Sequence, residues 1–314
     1  MEVFRQLSDI SPDTLEYESV VTVGSFDGVH RGHCEILRFC IEMANASGRH
    51  ALVITFNQHP LAFLNPQQAP LLLTSAERKI ELLGGIGLDA VACLPFDREM
   101  AMMDAEVFVR QVLFERCKAG AVVCGYDFAF GRRAKGTPAT IRDMGLHSGV
   151  EVITPSPLVQ NGAAVSSTRI RQSLVEGRIQ EVTDMLGRYY DLDGIVVAGR
   201  QLGRTLDFPT ANLLVNVGIC VPSNGVYAVL ARTGDLQWRP GMIYIGSAPT
   251  FGVGERRLEV NLFDFEGDLY GTSMRVQFIQ RIREERRFES TEALVAQLQV
   301  DRQNVLAALK SLNT

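Results

Sequence analysis

The chain has 314 residues, of which 46% are hydrophobic, and this length allows two domains that each bury a core. Its 31 basic and 36 acidic residues give a net charge of −5, which excludes the overall positive field typical of proteins that bind nucleic acid or anionic membranes. The six cysteines include no C-x-x-C pair, which indicates reduced thiols. The sequence shows neither a secretory signal nor an apolar run of about 18 residues, so we expect a cytoplasmic protein without a membrane span.

Residues 24–33 (Gly-Ser-Phe-Asp-Gly-Val-His-Arg-Gly-His), here called the 24–33 turn, form the most informative segment. The segment follows a β-branched run and precedes a helical pattern, so it joins a strand to a helix through glycine. Such a turn presents main-chain N–H groups and the positive end of a helix dipole to an anion. His30 and His33 add imidazole donors, so we interpret the turn as a binding site for a nucleotide phosphate. Two isolated histidines would favour a solvated loop or a metal pair, but the strand, the glycines, Asp27 and the following helix together favour the phosphate site.

The first half of the chain alternates short apolar runs with helical segments. The runs lie at residues 20–23, 51–56, 90–94, 121–124 and 150–153, and the helical segments at 34–46, 76–83 and 105–117. This alternation predicts a Rossmann-like α/β domain with a parallel sheet. Ligands bind such sheets at the carboxyl ends of the strands, which is where the 24–33 turn lies.

The pattern changes in the second half to short strand-like pieces separated by glycine and proline. These pieces lie at residues 194–198, 225–231, 242–245, 257–263 and 274–278. They predict a small antiparallel barrel or sandwich. Residues 291–312 predict a C-terminal helix with Ser290 as its N-cap. The helical segment 169–186 is expected to connect the halves, because no Gly/Ser/Pro-rich linker separates them.

Four motifs of the first half are residues 24–33, 55–60 (Thr-Phe-Asn-Gln-His-Pro), 125–131 (Gly-Tyr-Asp-Phe-Ala-Phe-Gly) and 165–171 (Val-Ser-Ser-Thr-Arg-Ile-Arg). In this order they resemble the adenylyltransferase module of bacterial bifunctional riboflavin kinase/FAD synthetases, with Gln58 and Ala129 in place of a proline and an arginine. The resemblance implies that residues 1–186 form a nucleotidyltransferase domain that adenylates FMN to FAD, with His30 and His33 as catalytic residues. The nucleotide and flavin contacts that it implies here are Gly24, Phe26, Asp27, Gly28, Asp127, Phe128, Ser167, Thr168 and Arg171.

Adenylyl transfer suits these residues on chemical grounds. The phosphate oxygen of FMN that attacks the α-phosphorus of ATP is already ionised near neutral pH, so positioning and charge neutralisation carry the catalysis. The two imidazoles would stabilise the transferring phosphoryl oxygens, while Ser167, Thr168 and Arg171 would hold the outgoing pyrophosphate. The alternative for these last three is an ordinary helix N-terminus with a surface arginine.

The second half resembles riboflavin kinase. Residues 206–213 (Leu-Asp-Phe-Pro-Thr-Ala-Asn-Leu) are similar to its L-G-F-P-T-A-N-L signature, and further similar elements follow in order as far as the C-terminal helix. The resemblance implies that residues 187–314 form a six-stranded barrel that phosphorylates riboflavin to FMN. It also implies that Thr210 and Asn212 contact ATP phosphate and Mg²⁺, that Gly199 and Gly203 lie at the nucleotide, and that Glu259 is the catalytic base.

A base at Glu259 makes independent sense. Riboflavin presents an un-ionised hydroxyl to the γ-phosphorus of ATP, so a proton acceptor is useful there. No histidine follows His147, which leaves a carboxylate to serve. Glu259 lies in an alternating strand, and we expect it to face the interior of the barrel. The alternative is an exposed glutamate paired with Arg256 or Arg257.

The second half departs from the family pattern at four positions, where Asp207 replaces a glycine, Tyr244 an asparagine, Ala248 an arginine and Asn261 a histidine. A carboxylate added near a triphosphate repels it. One interpretation is a bifunctional enzyme that uses riboflavin, FMN, ATP and Mg²⁺. The second is an active FAD synthetase whose barrel only binds flavin or regulates, and the third is a nucleotidyltransferase with another phosphorylated acceptor. We favour the first, because Thr210, Asn212 and Glu259, to which the resemblance assigns roles in the kinase, are retained.

Overall fold

The structure is a computed structural model that describes residues 1–11, 13–15, 17–198, 208–247 and 256–310. The chain divides into two compact units, Met1–Ser167 and Thr168–Thr314. The motifs place the functional boundary between residues 186 and 187, and that boundary stays a prediction. Within the described ranges, none of the helices combines the length and apolar character that crossing a membrane requires.

The first unit is built on a parallel sheet. Its strands are β1 (Glu2–Phe4), β2 (Ser19–Val23), β3 (His50–Phe56), β4 (Ala90–Leu94), β5 (Ala119–Val123) and β6 (Glu151–Ile153). They pair in the order β1-β4-β3-β2-β5-β6, every pair parallel. A small hairpin of β7 (Val159–Gln160) and β8 (Ala163–Ala164) follows. The parallel sheet predicted from the sequence is confirmed, and only the short edge strand β1 had no signal in the apolar pattern.

The helices of this unit are α1 (Arg31–Ser47), α2 (Pro60–Leu64), α3 (Ala76–Gly84), α4 (Arg98–Met102), α5 (Ala105–Val107) and α6 (Pro138–Ser148). The sequence predicts one helix over residues 105–117. In the structure α5 continues directly into a π-helix, Phe108–Arg116, which ends with a hydrogen bond of 3.0 Å from the N–H of Cys117 to the carbonyl oxygen of Val112. The five-residue span of that bond is the wider spacing of a π-helix.

Hydrophobic cores lie on both faces of the sheet. Val21 of β2 packs in one core with Val112, and its neighbour Val20 packs in the other core with Leu37. Successive side chains of a strand point to opposite faces, so a strand covered on both sides has an apolar run rather than an alternating pattern. This explains why the apolar runs of the sequence identify the central strands.

The second unit is a closed antiparallel barrel. Its strands are β9 (Tyr190–Val197), β10 (Ala211–Val215), β11 (Gly225–Arg232), β12 (Arg239–Ser247), β13 (Arg256–Leu262) and β14 (Ser273–Glu284). They close in the order β10-β13-β12-β11-β14-β9. Three aromatic rings are fully buried, with that of Phe278 packed against those of Tyr190 and Tyr227, and such side chains fill the interior of small barrels. The six-stranded barrel implied by the resemblance is confirmed.

Helices α7 (Ser167–Val175), α8 (Ile179–Leu186) and α9 (Thr291–Lys310) complete the described chain. The sequence predicts one connecting helix over residues 169–186, whereas the structure has two, separated at Gly177, which has a φ of 73° outside the helical region. Helix α9 covers the outside of the barrel, where Val305 packs with Val226. The hydroxyl of Ser290 accepts the N–H of Ala293 at 3.2 Å, which confirms the predicted N-cap.

Candidate active sites

The 24–33 turn begins directly after β2, and its backbone is strained. Phe26 and Val29 have φ angles of 45° and 40°, and Gly28 has a φ of 83°. Non-glycine residues in this region cost about 1–3 kcal/mol each and persist only where the surroundings hold them. Gly28 is also required for space, since a Cβ atom there would lie 2.7 Å from Cδ1 of Leu73. Such strain is typical of turns that hold a ligand.

His30 and His33 form a stacked pair at the start of α1. Their ring centroids are 3.5 Å apart and the ring planes differ by 15°. His30 is the N-cap of the helix, and its Nδ1 accepts the main-chain N–H of His33 at 3.2 Å. Because Nδ1 accepts, the proton of the neutral ring lies on Nε2, which is therefore a hydrogen-bond donor. His30 is only 5% exposed, so the direction of that donor is fixed by packing.

Asp27 holds the turn to a neighbouring segment. Its carboxylate oxygens accept the N–H groups of Leu73, at 2.9 and 3.0 Å, and of Thr74, at 3.2 Å. The Thr74 hydroxyl in turn accepts the N–H of Gly28 at 3.2 Å. Asp27 is 2% exposed, and its main-chain carbonyl accepts the Ser167 hydroxyl at 2.8 Å. The turn is thus anchored at both its side chains and its backbone.

The strand order puts the turn at a favourable place. Strand β2 has β3 on one side and β5 on the other, so the order of the chain reverses there. In α/β sheets the crevice at such a point, outside the carboxyl ends of the strands, is where ligands bind. Asp127 and Phe128 follow β5 at the same edge; Asp127 is exposed, and Phe128 is half-buried and stacks on Phe130 with 5.1 Å between centroids. Phe56 at the end of β3 is 8% exposed and belongs to the core.

The predicted pyrophosphate residues fall on both sides of the division between the units. Ser167 ends the first unit, and its hydroxyl contacts the turn through Asp27. Thr168 and Arg171 belong to the second unit, in the first two turns of α7. Their contact with the pyrophosphate stays a prediction.

The sequence motifs did not identify Lys79, whose side chain contacts the 24–33 turn. Lys79 of α3 is 6% exposed, and its ammonium group donates to the carbonyl oxygens of Ser25 and Phe56. One signal was available, because Lys79 lies at helical spacing between Ala76 and Leu83 on the apolar face of α3, where a lysine is unusual.

Glu259 lies in a row of side chains on the outside of the barrel. It is paired with Asn212 of β10 and with Tyr244 of β12, and directly paired residues of antiparallel strands share a face. Tyr244 packs against the core beneath α9, whereas Leu258 and Val260, on either side of Glu259, are buried on the opposite face. The expectation that Glu259 faces the barrel interior is therefore wrong. Alternation separates the two faces of a strand without showing which one is inside.

The surroundings of Glu259 include a cation and a phenol. Nη1 of Arg257 lies 3.3 Å from Oε1 of Glu259, which is the pairing that the sequence offered as an alternative, and both side chains are about a quarter exposed. This contact occupies only part of the carboxylate, whose two oxygens offer about four acceptor sites, so Glu259 can accept another hydrogen bond. The Tyr244 hydroxyl donates to Oε1 of Glu285 at 2.5 Å. Burial, followed by this hydrogen bond and the charge of Glu285, raises the pKa of Tyr244.

Asn261 links β13 to the segment that precedes β10. Its Nδ2 donates to the carbonyl oxygen of Pro209 at 2.7 Å, and the side chain is buried. Thr210 is the next residue, and both Thr210 and Asn212 are half-buried. A threonine hydroxyl and an amide carbonyl are hard oxygen donors, the type that Mg²⁺ prefers. Four residues singled out from the sequence lie outside the described residues: Gly199, Gly203, Asp207 and Ala248.

No cluster of three or more His, Cys, Asp and Glu side chains suited to a metal ion occurs in the part of the chain that the structure describes. The six cysteines form no disulfide; five are buried and Cys34 is half-buried. Burial raises the pKa of the Cys40 and Cys117 thiols to about 12.

Comparison with known proteins gives two family matches. Residues 13–169 match the FAD synthetase family, and residues 186–309 match the riboflavin kinase family. Proteins named bifunctional riboflavin kinase/FMN adenylyltransferase are 36% identical in Pseudomonas fluorescens and 33% identical in Escherichia coli K12, each over 96% of both chains. A crystal structure described as a macrolide-efflux protein from Streptococcus pneumoniae superposes with a TM-score of 0.86, at 32% identity over 96% of this chain and 97% of that one.

Proposed function

The chain belongs to the family of bifunctional riboflavin kinase/FMN adenylyltransferases, and we propose which of its residues perform the two reactions. It is a bifunctional transferase that phosphorylates riboflavin to FMN and adenylates FMN to FAD, with ATP as co-substrate in both steps. We propose functional domains at residues 1–186 and 187–314. A cytoplasmic location is part of the proposal, and the absence of disulfides among the six cysteines supports it.

In the proposed adenylyl transfer, a phosphate oxygen of FMN bonds to the α-phosphorus of ATP. The bond from that phosphorus to the oxygen that bridges to the β-phosphorus breaks, and pyrophosphate leaves. No proton has to be removed from the nucleophile. His30 donates from Nε2 to an oxygen of the transferring phosphoryl group, and His33, which stacks on His30, also stabilises these oxygens. The N-terminus of α1 adds main-chain N–H groups and a favourable dipole. The assignment rests on one observation: two imidazoles stack on a strained turn, and one of them, that of His30, caps α1.

In the proposed kinase step, the terminal ribityl hydroxyl of riboflavin attacks the γ-phosphorus of ATP and ADP leaves. Glu259 accepts the proton of that hydroxyl as the oxygen–phosphorus bond forms. Asn212 lies directly across from Glu259 in the barrel wall, so the base and a phosphate-binding residue share one face. This juxtaposition supports the assignment of Glu259.

Thr210 and Asn212 would hold Mg²⁺ through their side-chain oxygens together with phosphate oxygens of ATP. The donor set fits, because both atoms are neutral hard oxygens and the phosphates supply the charge. Bound there, the ion neutralises charge that develops on the phosphates.

Two half-reactions test the proposal in the full-length protein. Riboflavin with ATP reports the kinase through ADP, and FMN with ATP reports the adenylyltransferase through pyrophosphate. We expect E259Q to abolish FMN formation and to leave FAD formation from FMN unchanged, and H33A to do the reverse. If E259Q phosphorylates riboflavin at the wild-type rate, Glu259 is not the base. If H33A adenylates FMN normally, the imidazole pair has been misassigned.

A further inference from the structure

A buried lysine joins the carboxyl ends of two central strands of the parallel sheet. Nζ of Lys79 lies 2.6 Å from the carbonyl oxygen of Phe56 and 2.9 Å from that of Ser25. Phe56 is the last residue of β3, and Ser25 follows the end of β2 within the 24–33 turn. The same carbonyl of Ser25 accepts the hydroxyl of Thr55 at 2.9 Å. Lys79 therefore bridges the carboxyl ends of two neighbouring strands.

Stability alone does not explain a lysine at this position. Burying an ammonium group is unfavourable, and burial lowers the pKa of Lys79, while nearby Cys93 and Asp27 act in the opposite direction. The other buried residues of α3, Ile80 and Leu83, are apolar and belong to the core. A methionine of similar length would avoid desolvating a charge but would remove the donor to the carbonyl oxygens of Ser25 and Phe56, so what the lysine specifically supplies is its contact with these two strand ends.

The segment around Lys79 contacts the turn at three separate places. Leu73 and Thr74 bind the Asp27 carboxylate through their N–H groups, and the Thr74 hydroxyl binds the N–H of Gly28. Lys79 then binds Ser25, at the start of the turn. The contacts of Leu73 and Thr74 with the turn are buried, and that of Lys79 with Ser25 is partly buried. They leave the imidazole pair on the opposite end of the turn, at the start of α1.

We propose that Lys79 is a positioning residue for adenylyl transfer: its ammonium group fixes the 24–33 turn against the end of β3, from which residues 57–60 continue. Lys79 itself touches no substrate. Its effect on the reaction is to hold the imidazole pair at one distance from the neighbouring loop, so that the nucleotide site is formed before ATP binds. This inference rests on the proposed role of the 24–33 turn.

The test uses K79M in the full-length protein. A misplacement of about 1 Å costs roughly 100-fold in rate, so we expect K79M to lower kcat for FMN adenylylation by about that factor. The kinase rate should stay at the wild-type level, because the barrel has its own core. K79R keeps a cationic donor and should recover part of the lost rate. K118M is the control, since Nζ of the half-buried Lys118 also donates to a main-chain carbonyl, that of Leu15 at 2.9 Å, but next to the amino end of β5.

The outcomes separate the inference from the proposed function. Normal adenylylation by K79M, or equal losses in K79M and K118M, would overturn the positioning role. Loss of both activities in K79M would make Lys79 a residue of general stability, and equal impairment of K79M and K79R would overturn the role of its cationic donor in holding the turn. If H33A retains FMN adenylylation, the proposed site itself is wrong, whatever K79M does.

Discussion

The double role of His30 can be separated by two substitutions. Its Nδ1 caps α1, and its Nε2 is the proposed donor to the transferring phosphoryl group. H30A removes both groups. H30N keeps the cap and removes the Nε2 donor, because asparagine is among the best N-cap residues and its side chain ends one bond short of the Nε2 position. The pair of variants therefore compares helix capping with catalysis at one residue.

The magnitudes follow from the geometry. Loss of a cap costs ~1 kcal/mol, so H30A should unfold at a temperature about 2–4 °C below that of H30N. Loss of a donor to charge that develops in the transition state costs about 3–4 kcal/mol, so both variants should adenylate FMN roughly 100- to 1,000-fold more slowly. Loss of the stacking with His33 is common to both and cancels in the comparison.

The assay is pyrophosphate release at saturating FMN and ATP, with thermal unfolding measured on the same preparations. The riboflavin kinase rate serves as the control for folding of the remaining chain. A near-normal kcat in H30N would refute the donor role of His30. Equal unfolding temperatures of H30A and H30N would refute the cap.

Three further predictions concern the barrel and the thiols. N261A should raise the KM for ATP in the kinase reaction by disconnecting Pro209 from β13, and N261H should be milder; equal KM values in N261A and wild type would contradict this. Because the pKa of Tyr244 is raised, its phenol stays protonated and donates to Glu285 below pH 10, and this hydrogen bond is lost only as the pH rises through the pKa in the folded protein. The difference in unfolding free energy between Y244F and wild type, measured by denaturant titration, should therefore be constant from about pH 6 to 9. A thiol reagent at about pH 8 should modify Cys34 first in the native protein; rapid modification of a second thiol would contradict the buried positions of the others.

The sequence was most informative where one element carried the whole signal. The central strands of the sheet have apolar runs because helices cover both faces, and the 24–33 turn has its strand, glycines and helix within a short stretch. The supports of the turn were not accessible in this way. Asp27 meets Leu73 across 46 residues, and Lys79 meets Ser25 across 54, so these contacts depend on how β3, α3 and the turn pack together.

The barrel shows the same limit in another form. Strand positions were predicted, but Glu259 was assigned to the wrong face, because only the closure of the sheet and the location of α9 define the outside. The break at Gly177 was overlooked for a simpler reason: helical spacing continues on both sides of it, so the pattern reads as one helix.

The strained φ angles of Phe26 and Val29 also bear on attempts to imitate this site. A free peptide with the sequence of residues 24–33 would relax to ordinary extended or helical backbone angles, since each left-handed non-glycine residue costs about 1–3 kcal/mol. Such a peptide would present its imidazoles in many directions and would bind phosphate weakly. Transplanting the motif into another scaffold therefore requires moving its supports together with it.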